Sequence, residues 1–147
     1  MPSRVTLTLM NAVHRGLIAV SRGKAGWSMG GMPVLELTTT GRRSGRQRST
    51  MLTAPLTLDE GMVVVASRGG DHQHPAWFLN LQADPHVQVA AGGAAPEPMV
   101  ARVLTPAERA EAWPRITARY RNYAGYQERT AREIPLVVLA PESSSTP

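Results

Sequence analysis

The sequence contains no cysteine, and this absence excludes several kinds of chemistry. Disulfide bonds, thiolate nucleophiles and cysteine-ligated metal sites are all impossible in this chain. A small domain that folds without disulfides is typical of a reducing compartment, so we expect a cytoplasmic protein.

Long apolar runs and aromatic residues are also scarce. No stretch approaches the ~20 apolar residues that a membrane-spanning helix requires, and no signal-peptide core follows the start of the chain. Aromatic residues make up 5% of the 147 residues. Aliphatic side chains and methionine must therefore form the core of what we expect to be one domain.

Acidic residues are nearly absent from the first part of the chain. Residues 1–58 contain eight Arg or Lys and one acid, Glu36, whereas residues 59–147 contain eight Arg and ten acids. The whole chain carries a net charge of +5. The positive charge of residues 1–58 predicts an anionic partner, for which phosphate, nucleic acid and a membrane surface are the candidates.

Apolar periodicity and turn residues predict about six strands and three or four helices. The predicted strands cover residues 33–40, 47–58, 62–67, 87–90, 99–104 and 134–139. The predicted helices cover residues 5–21, 75–83, 105–119 and 123–131, and a flexible loop is predicted over residues 23–32. Pro75 suits the first turn of its helix, and Thr105 with Glu108 predicts a capping box. Strands that meander with inserted helices favour an α+β fold built on a mixed β-barrel.

Four arginines form the first candidate site. They lie within seven residues, between two predicted strands, and are Arg42, Arg43, Arg46 and Arg48. Arg presents a planar fork of donors that suits phosphate or carboxylate, and flanking glycines allow close approach of the backbone. An exposed basic hairpin tip is the alternative. The preceding Thr38–Thr39–Thr40–Gly41 run favours a site.

A second glycine-rich segment follows another apolar strand. It comprises Ala66, Ser67, Arg68, Gly69 and Gly70, whose backbone N–H groups could form an anion-binding nest. A plain connection from strand to helix is the alternative. Both segments follow strand ends, so together they could hold a phosphorylated ligand. Trp77, just beyond, either packs in the core or borders a flat heterocycle.

Tyr120, Tyr123 and Tyr126 are the only tyrosines and recur every third residue. On one helix this spacing would place the three hydroxyls on one side, where phenols can bind a substrate oxygen or donate a proton. Packing of a helix against a sheet is the alternative. His72 and His74 are interpreted as a loop pair, since no further ligand is arranged with them, and we predict no metal site.

These segments together carry a family resemblance. Their order along the chain resembles the deazaflavin-dependent nitroreductase family of actinobacteria. The segments that carry the resemblance are Thr38–Thr39–Thr40–Gly41–Arg42–Arg43–Ser44–Gly45, Ala66–Ser67–Arg68–Gly69–Gly70, Pro75–Ala76–Trp77–Phe78–Leu79–Asn80–Leu81 and the tyrosines. The resemblance covers residues 32–142. It implies a split β-barrel that binds coenzyme F420, with domain boundaries at residues 1–30 (helix and loop), 31–142 (barrel) and 143–147 (tail).

The resemblance also implies roles for individual residues. Arg42, Arg43 and Arg48 would bind the phosphate and acidic tail of the cofactor. Met51, Leu52 and Thr53 would line its ring, where family members often carry Pro-Leu-Tyr. The phosphate and ribityl region would be held by Ala66, Ser67, Arg68, Gly69 and Gly70, with Trp77 bordering the pocket. Tyr120, Tyr123 and Tyr126 would face the substrate, as would Ser67 in part.

The implied activity is hydride transfer from reduced F420 to an apolar, electron-poor acceptor: a quinone, a nitroaromatic or an enone. Few charged residues are expected on the acceptor side. An FMN enzyme of similar barrel and a basic nucleic-acid-binding module are the alternatives, and scarce aromatics argue against the second. Residues 1–25, with Arg4, Arg15 and Arg22 near the polar face of the predicted helix, either contact a membrane or pack on the barrel.

Overall fold

The computed structural model describes residues 28–29 and 32–142 of the chain. Within them, the strands are β1 (Ser28–Met29), β2 (Met32–Thr40), β3 (Gln47–Thr53), β4 (Leu56–Thr57), β5 (Met62–Val65), β6 (His86–Ala91), β7 (Glu97–Val103) and β8 (Leu136–Pro141). The helices are α1 (Ala76–Ala83), α2 (Pro106–Arg119) and α3 (Asn122–Glu128). The predicted helix over residues 5–21 and the tail over 143–147 lie outside the described residues.

All strand pairs are antiparallel and follow the order β1-β2-β6-β7-β8-β5-β4, with β3 paired to β2 as well. Strand β3 also contacts β5, so the sheet curls back on itself. The helices lie at the periphery, in the connections between β5 and β6 and between β7 and β8. The fold is the α+β split β-barrel that the sequence predicts.

Two apolar clusters lie on opposite faces of the barrel wall. The first contains Leu35, Leu37, Val64, Phe78, Leu81, Val137 and Leu139, and the second contains Val63, Val65, Leu104, Ile116, Tyr123, Ile134 and Val138. Side chains alternate between the two faces along a strand. Strand β5 contributes to both clusters, so its apolar run is buried on both faces. Helices α2 and α3 cover the second cluster.

Several predicted boundaries are corrected by the structure. The predicted strand over residues 47–58 is interrupted at Ala54–Pro55, because proline has no N–H to continue the ladder. Pro75 is the N-cap of α1, with extended backbone at φ −62° and ψ 150°, and does not occupy the first turn. The predicted loop over residues 23–32 contains strand residues, since Ser28–Met29 pairs with Met32–Pro33.

The predicted start of α2 is confirmed. The Thr105 hydroxyl accepts a hydrogen bond from the Glu108 N–H, and the Glu108 carboxylate accepts one from the Thr105 N–H, which together form the capping box. Arg102 donates to the carboxylates of both Glu108 and Glu60. The Arg102 contact and the cap lower the pKa of Glu108 to about 2. This network fixes α2 on β7.

Candidate functional site

The first candidate segment, residues 41–46, is a tight turn between β2 and β3. The Gly41 N–H donates to the Arg46 carbonyl at 2.7 Å, and Gly45 adopts a positive φ of 72°. A Cβ atom on Gly41 would lie 2.8 Å from the Ser44 Oγ. The turn therefore needs its glycines. It carries Arg42, Arg43 and Arg46, and Arg48 follows on β3; all four residues are exposed.

A buried asparagine positions this turn. The Asn80 Oδ1 accepts hydrogen bonds from the backbone N–H of Arg42 at 3.2 Å and from its guanidinium at 3.1 Å. The Asn80 side-chain N–H donates to the hydroxyl of Thr39, which is fully buried. Sequence reasoning missed Asn80 as a site residue. Its signal is a lone polar residue within the apolar run Trp77–Phe78–Leu79–Asn80–Leu81.

The second candidate segment has an unusual backbone. Ser67 lies in the right-handed helical region, and Arg68, Gly69 and Gly70 follow with positive φ angles of 47°, 64° and 84°. Arg68 is the one residue other than glycine with positive φ in the described chain. A right-handed residue followed by a left-handed one aligns successive N–H groups into an anion-binding nest. Backbone strain at a non-glycine residue is typical of functional sites.

Arg132 binds backbone carbonyls of this segment, and no local sequence pattern predicts this contact. Its guanidinium donates to the carbonyls of Ala66, Ser67 and Asp71 at 3.2, 2.8 and 2.9 Å. It also contacts the His74 Nδ1 at 3.0 Å. Since a guanidinium can only donate, His74 Nδ1 accepts this hydrogen bond. Burial, and then the nearby Arg132 charge, lower the pKa of His74. Burial also lowers the pKa of Arg132.

Helix α3 packs directly against the second segment. A Cβ atom on Gly70 would lie 2.7 Å from the Tyr126 carbonyl oxygen and 3.0 Å from the Arg129 Cβ. The Arg129 guanidinium donates to the Gly69 carbonyl at 3.4 Å. This close approach brings Tyr126 beside Ser67–Gly70, and only glycine at position 70 permits it.

The three tyrosines do not share one helix. Tyr120 caps the C-terminus of α2, and Tyr123 and Tyr126 lie on α3, because the backbone at Tyr120 leaves the helical region (φ −127°, ψ 88°). All three nevertheless pack with the second apolar cluster. The rings of Tyr123 and Tyr126 meet edge to face at 5.9 Å.

The environments of the tyrosine hydroxyls differ. Tyr123 is buried, and its hydroxyl shares a 2.9 Å hydrogen bond with that of Thr53. Burial raises the pKa of Tyr123 above its ordinary value. Tyr120 and Tyr126 are partly exposed. The Thr53 contact connects α3 to β3, the strand that the resemblance places along the cofactor ring. Helix α3 therefore contacts both β3 and the Ser67–Gly70 segment.

Two of the tyrosines that the resemblance turns toward the substrate have charged neighbours. The Arg119 guanidinium carbon lies 5.3 Å from the centre of the Tyr120 ring, and that of Arg129 lies 5.7 Å from the centre of the Tyr126 ring. Such cation–π pairs place positive charge at the rim of the aromatic surface. Arg129 lies three residues after Tyr126, a spacing that brings side chains together on a helix.

The remaining predicted residues divide between the two faces of the wall. Along β3, Met51 and Thr53 share the face of Glu36 and Val34, whereas Leu52 packs against the interior cluster. Ala66 is fully buried in that cluster, and Trp77 packs against its edge with its ring 6.3 Å from Phe78. The structure therefore brings Thr53 and Ser67–Gly70 to α3, with Met51 on the same face of β3 as Thr53, while Leu52 and Ala66 pack inward.

The donor set of the described residues suits an anionic organic ligand. Exposed guanidinium groups and a backbone nest are the phosphate-binding elements that a phosphorylated cofactor requires. In the described residues, no three His, Cys, Asp or Glu side chains are arranged to hold a metal ion. Among the same residues, no helix has the length and apolar character needed to cross a membrane.

Comparison with known proteins identifies the ligand. The sequence pattern that defines the F420H(2)-dependent quinone reductases matches residues 12–141. The chain belongs to this family. It is therefore an oxidoreductase that uses coenzyme F420, as the resemblance in the sequence implies.

Individual relatives agree with this assignment. An F420H(2)-dependent quinone reductase of Mycobacterium tuberculosis is 36% identical over 139 residues, which cover 90% of this chain and 88% of the relative. The solved structure of an F420-H2 dependent reductase, FDR-A, is 37% identical with a TM-score of 0.63, covering 73% of this chain and 93% of that chain. A heme-binding protein from Mycobacterium smegmatis, 19% identical with a TM-score of 0.55, shares the fold alone; the match covers 81% of this chain and 48% of that chain.

Proposed function

We propose that this F420-dependent oxidoreductase reduces a quinone at the surface between the nest and helix α3. The observation that carries the proposal is the close approach of Gly70 to the backbone carbonyl of Tyr126, which places the candidate anion-binding turn beside the helix that carries the partly exposed Tyr126. The names of the family and of the M. tuberculosis relative support a quinone as the acceptor. Nitroaromatics and enones are further acceptors of the same electron-poor class.

The chain would hold the cofactor through two kinds of contact. Arg42, Arg43 and Arg48 would bind its anionic groups with side chains, while Ser67–Gly70 would do so with backbone N–H groups. Met51 and Thr53 lie on the face that leads to α3 and would border the ring, and Trp77 would border the pocket. Leu52 and Ala66 would support this surface from inside the barrel. Bound reduced F420 supplies a hydride.

The acceptor would lie against Tyr120 and Tyr126. Reduction of a quinone to a quinol takes one hydride and one proton, and negative charge develops on a quinone oxygen before the proton arrives. A phenol hydroxyl can stabilise that charge by donating a hydrogen bond. We assign this role to Tyr126, because the Tyr123 hydroxyl is buried and already bonded to Thr53. Tyr123 would instead hold α3 on β3.

Two measurements test this proposal. Titration of the protein with F420 and separately with FMN, followed by absorbance, should show saturable binding of F420 in preference to FMN. Binding of FMN alone would favour the flavin alternative. Single-turnover oxidation of the bound reduced cofactor by menadione, a nitroaromatic and an enone would then rank the acceptors, and a quinone is expected to react fastest.

A substitution tests the role of Tyr126. Replacing Tyr126 with Phe should slow the single-turnover step by about tenfold or more, since removal of an oxyanion donor costs rate in the transition state. Affinity for F420 should stay within about twofold, under ~0.5 kcal/mol. Tyr120→Phe removes a phenol from the same acceptor surface without the assigned oxyanion contact, so it should slow this step less than Tyr126→Phe does. An unchanged rate in Tyr126→Phe would leave that hydroxyl without a chemical role.

A further inference from the structure

The nest at Ser67–Gly70 is built around a side chain that the mechanism itself does not use. Arg132 lies 65 residues from Ser67 along the chain, yet its guanidinium reaches three carbonyls of the segment, those of Ala66, Ser67 and Asp71. The ion pairs found among the described residues do not include Arg132. Its guanidinium N–H groups instead donate to backbone carbonyl oxygens and to His74.

Because peptide units are planar, these contacts also determine the direction of the neighbouring N–H groups. In a planar trans peptide, the carbonyl of one residue and the N–H of the next point in opposite directions, and no cis peptide occurs in the described residues. Arg132 holds the carbonyls of Ala66 and Ser67. The N–H groups of the same two peptide units, those of Ser67 and Arg68, must therefore point away from Arg132.

The rest of the segment leaves these two N–H groups available. The Gly70 and Asp71 N–H groups donate within the turn, to Ser67 and Arg68. Neither the Ser67 nor the Arg68 N–H has a hydrogen-bond partner in the described part of the chain. Their alignment depends on the right-handed to left-handed step at Ser67–Arg68, a strained conformation that surrounding contacts must maintain.

We propose that Arg132 is a positioning residue for cofactor binding: by holding the carbonyls of Ala66, Ser67 and Asp71, it directs the Ser67 and Arg68 N–H groups toward the anionic part of F420. The inference rests on the proposed use of this nest. Arg132 does not touch the cofactor in this account, and its effect passes through the backbone. A lysine at position 132 would keep the charge but could not span three carbonyls.

The test compares Arg132→Met with Arg109→Met. Arg109 is also a partly buried arginine that donates to a backbone carbonyl, that of Ile134, and its guanidinium carbon lies 4.4 Å from the centre of the Trp113 ring. It makes no hydrogen bond to the nest but donates to Gln127 on α3, so it controls for the loss of a partly buried arginine that also supports α3. We expect Arg132→Met to weaken F420 binding by at least tenfold, with kcat at saturating cofactor within about threefold of wild type. Arg109→Met should bind F420 within about twofold of wild type at a similar free energy of unfolding.

A second readout needs no cofactor. In amide ¹H–¹⁵N spectra of the cofactor-free protein, the Ser67 and Arg68 resonances should shift or broaden in Arg132→Met and stay unchanged in Arg109→Met. A wild-type protein that fails to bind F420 would overturn the proposed function, while the amide spectra would still decide the role of Arg132. Equal F420 affinities and equal nest resonances in the two variants would overturn the inference.

Two further variants keep the inference testable if Arg132→Met does not fold. Arg132→Lys should bind F420 more weakly than wild type, because lysine restores the charge but not the three carbonyl contacts. Wild-type affinity in Arg132→Lys would show that charge alone matters and would contradict the inference. In Arg132→Ala, millimolar guanidinium should recover part of the lost affinity, whereas sodium at equal ionic strength should not. Equal responses to the two cations would contradict a role that depends on guanidinium geometry.

Discussion

The two turns of the candidate site are built in opposite ways. Residues 41–46 present charged side chains from an exposed turn that one buried residue, Asn80, holds through two hydrogen bonds. Residues 66–71 present backbone N–H groups from a strained turn that Arg132 and α3 hold on several sides. Binding by side chains should tolerate changes to the backbone nearby, whereas binding by the backbone should depend on every contact that fixes its conformation.

The largest effect is expected at Gly70. Replacement by alanine would combine a positive φ of 84° with a Cβ atom 2.7 Å from the Tyr126 carbonyl oxygen. Left-handed strain and overpacking together should lower the free energy of unfolding by roughly 3 kcal/mol. Gly92→Ala is the matched control, since its φ is 63° with nothing within 4 Å, and it should cost about 1 kcal/mol. Urea unfolding measures both, and equal losses would contradict the close packing of α3 on the turn.

A smaller loss is expected for Asn80→Leu. The substitution keeps the approximate volume but leaves the buried Thr39 hydroxyl and the Arg42 N–H without their partner. An unsatisfied buried polar group costs about 2 kcal/mol. The exposed Asn122→Leu is the control and should change stability by under about 0.5 kcal/mol. Denaturation of Asn80→Leu at the wild-type urea midpoint would show that Asn80 does not support the arginine turn.

The arginine turn itself should affect binding without affecting folding. Arg42→Ala with Arg48→Ala should weaken F420 binding by at least tenfold, about 1.4 kcal/mol, because both residues are exposed and cationic and we propose that they bind the anionic groups of the cofactor. The loss should shrink in high salt. The control removes the same charge at Arg115 and Arg121. Unchanged affinity of the Arg42 and Arg48 variant in low salt would remove this turn from the site.

The smallest effect concerns acid pH. Burial and the Arg132 charge lower the pKa of His74 from its ordinary 6.5. The unfolded chain therefore binds more protons than the folded one below that pH, so the free energy of unfolding should fall as pH drops below about 6.5. His74→Gln keeps an acceptor for Arg132 and should lose this part of the pH dependence. Identical pH profiles would show that His74 does not support the turn.

The parts of this account that local sequence predicts are those with local causes. The β-branched run of β2, the apolar run of β5 and the capping box at Thr105 each depend on neighbours in sequence, and the structure confirms them. Pro55 is also a local signal for a break in the strand, but the apolar pattern on both sides of Pro55 obscured this signal.

The missed features depend on distant contacts. Arg132 and Asn80 act on residues tens of positions away, and nothing beside them in sequence marks the carbonyls or hydroxyls they bind. The separation of Tyr120 from α3 depends on one change of backbone direction that the regular tyrosine spacing concealed. Family resemblance supplied the cofactor, which neither periodicity nor charge identifies.

Amide ¹H–¹⁵N spectra recorded during an F420 titration test the central claim most directly, because they report on both turns at once. The account predicts that resonances of residues 42–45 and 67–70 shift together and saturate at the same cofactor concentration. Those of the turn at Ala91–Gly92–Gly93, on the far connection between β6 and β7, should not move. Saturable binding of F420 that leaves residues 42–45 and 67–70 unshifted would contradict the site described here.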